Sequence, residues 1–374
     1  MAWNLNTIET ILFMAGFVAL VPTVPLLKLF RMSQIKEYLI FCAVFLTSSL
    51  FSFSSVLAQE TNELFFWQLM FTARNLTYFL FFLHMVRMLW YHPPLYVLYP
   101  GVVGYALVQF SIIFWQFNEA GVPGLFLPDG TDIYSSNHRL LAIIFQLYVS
   151  LLFLYGYYKI QVENPSPRVK NTKLAMMTMA VILLVSRIYR LLQNFGLPEN
   201  PGAEVLGNLM IVVGFLTVGL VFIISPSSIM LTPVQLSGIL VLSPVGVPIA
   251  SIRFRESSLS ISPTLLGGIM TAIQTIIDTT ANDHETKESF HQLLAAHRSI
   301  LIYRDGSYLY SILTTKDATS LQRSSLKFFA RKFRELYRED LEAFERMGAQ
   351  IRDLSPILQL AFPYSTGLTP EYWE

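Results

Sequence analysis

The chain has 374 residues, 53% of them hydrophobic and 14% charged, with a mean hydropathy of +0.49 and a formal net charge of +1. Soluble domains carry roughly a quarter charged residues, so a wholly soluble chain is excluded. Cys42 is the single cysteine, which excludes an intramolecular disulfide and a cysteine-based metal cluster.

The start, MAWNLNTIET, has no basic stretch and no small-residue cleavage site, so the first apolar run reads as a retained helix. Seven such runs follow one another: Thr7–Leu29, Tyr38–Leu57, Phe65–Trp90, Leu95–Phe117, Leu140–Tyr158, Leu174–Phe195 and Val205–Ile224. The last carries no charge and would be about 30 Å long as a helix, the thickness of a bilayer's hydrocarbon core. Helices apolar on every face are not expected seven times over in a soluble domain. The spacing therefore predicts an all-α bundle of seven transmembrane helices over residues 1–226. Pro22 and Pro25 either kink the first span or mark its end. Trp90, Tyr91, Tyr96 and Tyr99 fall where an interfacial aromatic belt is expected.

Alternate loops differ in charge. Lys28, Arg31 and Lys36, then Arg87, then Lys159, Arg168, Lys170 and Lys173 lie on one side. Glu60 and Glu63, then Glu119, Asp129 and Asp132, then Glu199 and Glu204 lie on the other. The positive-inside rule puts the N-terminus outside and the C-terminus in the cytoplasm of a multi-pass cell-membrane protein. An odd number of spans agrees with that.

Within the spans, Arg187 and Arg190 are three residues apart on one face of the sixth run, towards its outer end. Arg74 lies in the outer half of the third. Charged groups at such depths must face the bundle interior, water or headgroups. Gln68, Asn75, Tyr78, Tyr189, Gln193 and Asn208 can supply polar company. One reading is an outward-facing pocket for a small polar or anionic extracellular ligand, built from Gln68, Arg74, Asn75, Arg187, Tyr189, Arg190 and Asn208. The other has Arg74 and Arg190 snorkelling to the interface and Arg187 closing a structural hydrogen-bond network. No carboxylate stands in the middle of a span, which argues against a proton- or sodium-coupled transporter. His84 reads as a core or interfacial histidine. The Asn75 sequon lies inside a span and is discounted.

Residues 227–236 form a short connector that holds the next domain close to the membrane. Over 237–374 the period changes. Gly238–Ser243 and Ile249–Phe254 read as two strands about the turn PVGVP. Ser260 or Ser262 and Pro263 open a helix over Leu265–Ile277. Phe290–Ala295 reads as a third strand. Ser299–Tyr303 and Tyr308–Leu313 form a hairpin about Arg304–Asp305–Gly306. Thr319–Met347 has apolar residues at spacings of three and four and predicts one long amphipathic helix. Ile351–Leu360 is a last short helix, and the tail GLTPEYWE is loose or laid against another surface. The expected domain is a five-stranded antiparallel sheet with helices covering a face.

The phrases GILVLSPVGVPIASIRF (238–254), LLGGIMTAIQTI (265–276) and RSILIYRDGSYLYSILTT, followed by LKFFARKFRELYREDLEAF, resemble the longin/roadblock (profilin-like) domains of archaeal small-GTPase modules. That resemblance covers about a third of the chain. It implies a non-enzymatic scaffold that binds a small GTPase or pairs with another longin-like domain, as a homodimer among other arrangements. Residues 1–226 resemble generic seven-helix sensor modules.

No phosphate loop, zinc-protease motif, nucleophile elbow or Cys/His metal spacing occurs, so no catalytic residue, metal ligand or cofactor is assigned. Arg323, Lys327, Arg331, Lys332, Arg334 and Arg338 lie along the long helix among acidic residues. They form either a solvated face or a contact for anionic lipid or an acidic partner. A domain tethered at the membrane is no candidate for nucleic acid. The leading expectation is a membrane receptor or sensor. The alternatives are a transporter or channel with a regulatory cytoplasmic domain, or a passive anchor or scaffold.

Overall fold

The computed structural model describes residues 7–33, 35–61, 63–90, 92–119, 136–160, 167–195, 217, 219, 221, 236–254, 262–281, 288–295, 298–315, 317–348, 350–351, 353–362 and 370–372. Among them, six helical stretches are long and apolar enough to cross a membrane. The first is made of α1 (Thr7–Leu20) and α2 (Thr23–Ser33), so the prolines kink the span and do not end it. Pro22 and Pro25 have no N–H, so the carbonyls of Val18 and Val21 lose their usual partners. Around the break, Val21 N–H donates to the Val18 carbonyl and Leu26 N–H to the Pro22 carbonyl, each at 3.2 Å.

The other five spans are α3 (Lys36–Thr61), α4 (Leu64–Leu89), α5 (Leu95–Glu119), α6 (Ser136–Lys159) and α7 (Pro167–Asn194). The expected seventh span, Val205–Ile224, lies outside the described residues except for Thr217, Gly219 and Val221, which are helical. A Cβ built on Gly219 would stand 3.1 Å from Pro22 Cγ, so this short piece sits against the kink in the first span.

Each span divides into a lipid face and a bundle face. In α7, Leu174, Val181, Val185, Ile188 and Leu192 are exposed, while Thr172, Met176, Met179, Ala180, Leu183 and Arg187 are buried. Both stripes recur at helical spacing. Helix α4 is the hub of the bundle and packs against α3, α5 and α6.

The C-terminal domain runs β1 (Leu236–Leu242), β2 (Pro248–Phe254), α8 (Pro263–Ala281), β3 (Glu288–Ala295), β4 (Arg298–Asp305), β5 (Tyr308–Thr314), α9 (Ser320–Leu336), α10 (Arg338–Met347), α11 (Ser355–Ala361) and β6 (Pro370–Tyr372). The sheet order is β3-β4-β5-β1-β2-β6, antiparallel at every pairing. The five expected strands form, and residues 370–372 of the tail, expected to be loose or laid against another surface, take the second course and add a sixth along β2. Tyr372 lies opposite Ile252, and Glu371 opposite Arg253.

Alternation along the strands feeds both faces of the sheet. Leu240, Leu242, Ile302, Leu309 and Leu313 bury against Leu266 and Met270 of α8. Ile239, Val241, Leu301, Tyr303, Tyr310 and Ile312 bury with Leu326, Phe329 and Phe333 of α9. Helices therefore cover both faces, not the single face expected.

Local signals set the helix ends. Leu265 N–H donates to Ser262 Oγ at the start of α8. Thr319 and Gln322 form a capping box at the start of α9. The expected single helix over Thr319–Met347 breaks at Tyr337, whose φ of −110° and ψ of 28° are not helical. Its hydroxyl donates to the Asp353 carbonyl at 2.7 Å, which ties the break to the segment leading into α11. Burial and Asp353 push the Tyr337 hydroxyl's pKa up.

The β1–β2 turn and α8 meet through two glycines. A Cβ on Gly267 would lie 2.7 Å from the Gly246 carbonyl oxygen and 2.8 Å from Leu242 Cδ2, whereas one on Gly268 would meet nothing within 4 Å. Gly267→Ala is therefore expected to destabilise the domain by about 1–3 kcal/mol through overpacking. Its neighbour Gly268→Ala is expected to stabilise it by about 0.5–1 kcal/mol through helix propensity. Thermal unfolding of the two variants checks this, and equal shifts would sink it.

Helix α9 also packs against α4 of the bundle. The bundle core and the α9 face of the sheet form one continuous buried cluster.

Candidate functional site

Arg187 projects from the buried stripe of α7 and is 9% exposed. It lies about 10 Å from the end of that helix. Its Nη1 donates to Gln146 Oε1 of α6 at 2.9 Å, and Gln146 Nε2 donates to Asn75 Oδ1 of α4 at 2.8 Å. Asn75 and Gln146 are buried as well. The guanidinium stands 5.7 Å from the centre of the Tyr78 ring, one turn along α4 from Asn75. Three helices are thus joined through one polar chain. Desolvation makes such a chain costly unless its groups are satisfied.

The structure brings only some of the sequence candidates together. Asn75 and Arg187 meet, with Gln146 as the link. Arg74 lies on α4 with its guanidinium 4.7 Å from the Phe71 ring centre. Arg190 and Gln68 are half-buried on α7 and α4, and the Tyr189 hydroxyl is buried without a hydrogen-bond partner among the described residues. Asn208 lies outside the described residues. Gln146 is absent from the sequence candidates, although its signal was there: one amide in the apolar run LAIIFQLYVSLLF.

A second polar cluster occupies the other end of the bundle. Glu37, at the second position of α3, is fully buried and accepts from Arg87 Nε and Nη2 of α4, each at 2.8 Å. One turn from Arg87, His84 is fully buried with Nε2 3.3 Å from the Tyr157 hydroxyl of α6. His84 is thus a core histidine, as expected. Between the two clusters lies an apolar layer that includes Phe41, Phe45, Phe81, Phe153 and Met176. Helix α4 contributes to both clusters and to the layer between them.

The basic residues of α9 and α10 divide by partner. Arg323 lies 4.3 Å over the Phe290 ring and Lys327 6.0 Å over Tyr303, covering the stacked pair at the β3–β4 end of the sheet. Arg331 lies over Phe328. Arg334 pairs with Asp305 at 2.7 Å, Lys332 with Glu335, and Arg338 with Glu342 at 3.9 Å. Nearby, burial, the hydrogen bond it donates to Glu345 and that residue's charge push the Tyr308 hydroxyl up to about 12. No group of three or more His, Cys, Asp or Glu suited to a metal ion occurs among the described residues.

Comparison with known proteins finds no matching family model, no matching curated protein and no matching solved structure.

Proposed function

We propose that the protein is a membrane receptor or sensor whose outer half perceives a ligand and whose cytoplasmic α/β domain recruits a small GTPase or a longin/roadblock-like partner. The observation that supports this reading is the position of α4. That helix carries Asn75 of the buried arginine network and also packs against α9, a core helix of the α/β domain. A shift of α4 caused by binding at Asn75 would act directly on a helix that the sheet depends on. The loop charges place the α/β domain in the cytoplasm. The resemblance of its strand and helix phrases to longin/roadblock domains supplies the partner class. In this reading the output is recruitment, not chemistry.

The full-length protein in nanodiscs, offered cytosol from its own source, is expected to capture a small GTPase or a longin-like protein through the α/β domain. Empty discs and discs holding residues 1–235 are the controls. Recovery of neither class, or equal recovery on residues 1–235, would remove the recruitment half of the reading.

A further inference from the structure

We propose that Arg187, Gln146 and Asn75 form a binding site for a singly charged oxyanion, a carboxylate or a phosphodiester, inside the bundle. The proposal deepens the receptor reading and rests on it for the meaning of binding, though not for binding itself.

The donors and acceptors of the network decide the ligand's class. Gln146 is engaged at both ends of its amide, and the Asn75 carbonyl oxygen is engaged as well. Among the described residues, what lacks a hydrogen-bond partner is Arg187 Nε and Asn75 Nδ2, both buried. Each of these atoms is a donor that cannot accept. The Tyr78 hydroxyl beside them is also buried without a hydrogen-bond partner among the described residues. A site whose unmatched groups donate calls for a ligand that accepts.

Charge narrows the class further. Arg187 makes no ion pair with any described carboxylate; its contacts are the Gln146 amide and the Tyr78 ring. A cation–π contact contributes about 2 kcal/mol in a desolvated setting. Burying an arginine at membrane depth costs more than that. Snorkelling does not relieve the cost, because the side chain is 9% exposed. One negative charge closes the balance, whereas a dianion would restore an unpaired charge of opposite sign. With Nη1 on Gln146, the edge of the guanidinium bearing Nε is left for the ligand. That edge matches two oxygens of one carboxylate or one phosphodiester.

The test uses the full-length protein in phosphatidylcholine nanodiscs in chloride buffer. Acetate and benzoate are the free carboxylate probes, titrated at constant ionic strength. A second arm replaces part of the phosphatidylcholine with phosphatidylglycerol. A saturable rise in the thermal midpoint is expected in at least one arm. A response confined to the first arm assigns a free carboxylate, and one confined to the second assigns a headgroup. Arg187→Lys keeps the charge but loses the fork, and is expected to weaken the apparent affinity about tenfold. Arg187→Gln is expected to abolish the response. Lys28→Gln, an exposed site on α2, is expected to respond like the unmodified protein. No saturable response in either arm, or one that survives in Arg187→Gln, overturns the site. Binding with no change in partner recruitment would uphold the site and remove the receptor reading alone.

Discussion

Arg87→Ala is expected to be the most damaging single change in the bundle, at a cost of about 3–5 kcal/mol. It would strand the Glu37 carboxylate, which is 0% exposed and already has its Oε2 buried without a hydrogen-bond partner among the described residues. The N-terminal end of α3 favours a negative charge, but only by about 0.3–1 kcal/mol, too little to replace the guanidinium. The converse change, Glu37→Ala, is expected to cost less. The Arg87 side chain is 25% exposed, so an unpaired guanidinium can reach towards water and headgroups. The double variant Glu37→Leu/Arg87→Met is expected to recover most of the loss, since an apolar pair of similar volume has no stranded charge. Thermal midpoints of the four proteins in one detergent make a double-mutant cycle. If Arg87→Ala is neutral, or the double variant is worse than either single change, the ion pair is not what ties α3 to α4.

That ion pair was open to sequence reasoning. Glu37 and Arg87 lie at nearly equal distances on either side of the short break around Asn62, so an antiparallel helix pair brings them level. Glu37 is one of two acids, with Glu163, among the basic residues that mark that side of the bundle. The network round Arg187 was half legible: depth and spacing pointed to Arg187 and Asn75. Their link, Gln146, comes from a helix that is not paired with α4 by any short loop, so no reflection about a turn places it. In the α/β domain, alternation, turn residues and caps were enough for five strands and the starts of α8 and α9, whereas the last helix begins at Ser355, four residues later than the expected Ile351. The break at Tyr337 was hidden because apolar residues keep helical spacing across it, through Phe333, Tyr337, Leu341 and Phe344. Strand β6 was hidden because three residues, the first of them Pro370, carry no period. Its pairing depends on the open edge of β2, which is a tertiary fact.

Phe329→Ala is expected to cost the α/β domain about 3–5 kcal/mol. The ring is fully buried and touches three others: Tyr310 of β5 at 6.4 Å, Phe333 at 5.7 Å and Phe362 just past α11 at 5.5 Å. Its loss would open a void where the sheet, α9 and α11 meet, and the neighbouring rings are held from several sides, so collapse is restricted. Leu336→Ala, on the same helix but 56% exposed, is expected to change stability by no more than about 0.5 kcal/mol. Limited proteolysis of the full-length variants separates the effects. Phe329→Ala should expose cleavage sites after residue 236 while the membrane helices stay protected. Arg87→Ala should loosen the bundle first. Because α9 packs on α4, a weakened domain core is also expected to loosen that contact, and a spectroscopic distance from α4 to α9 should broaden in Phe329→Ala. A distance that stays sharp while the domain becomes protease-sensitive would mean that α9 holds to the bundle without the sheet. Binding in the bundle would then have no route through α9 to the rest of the domain.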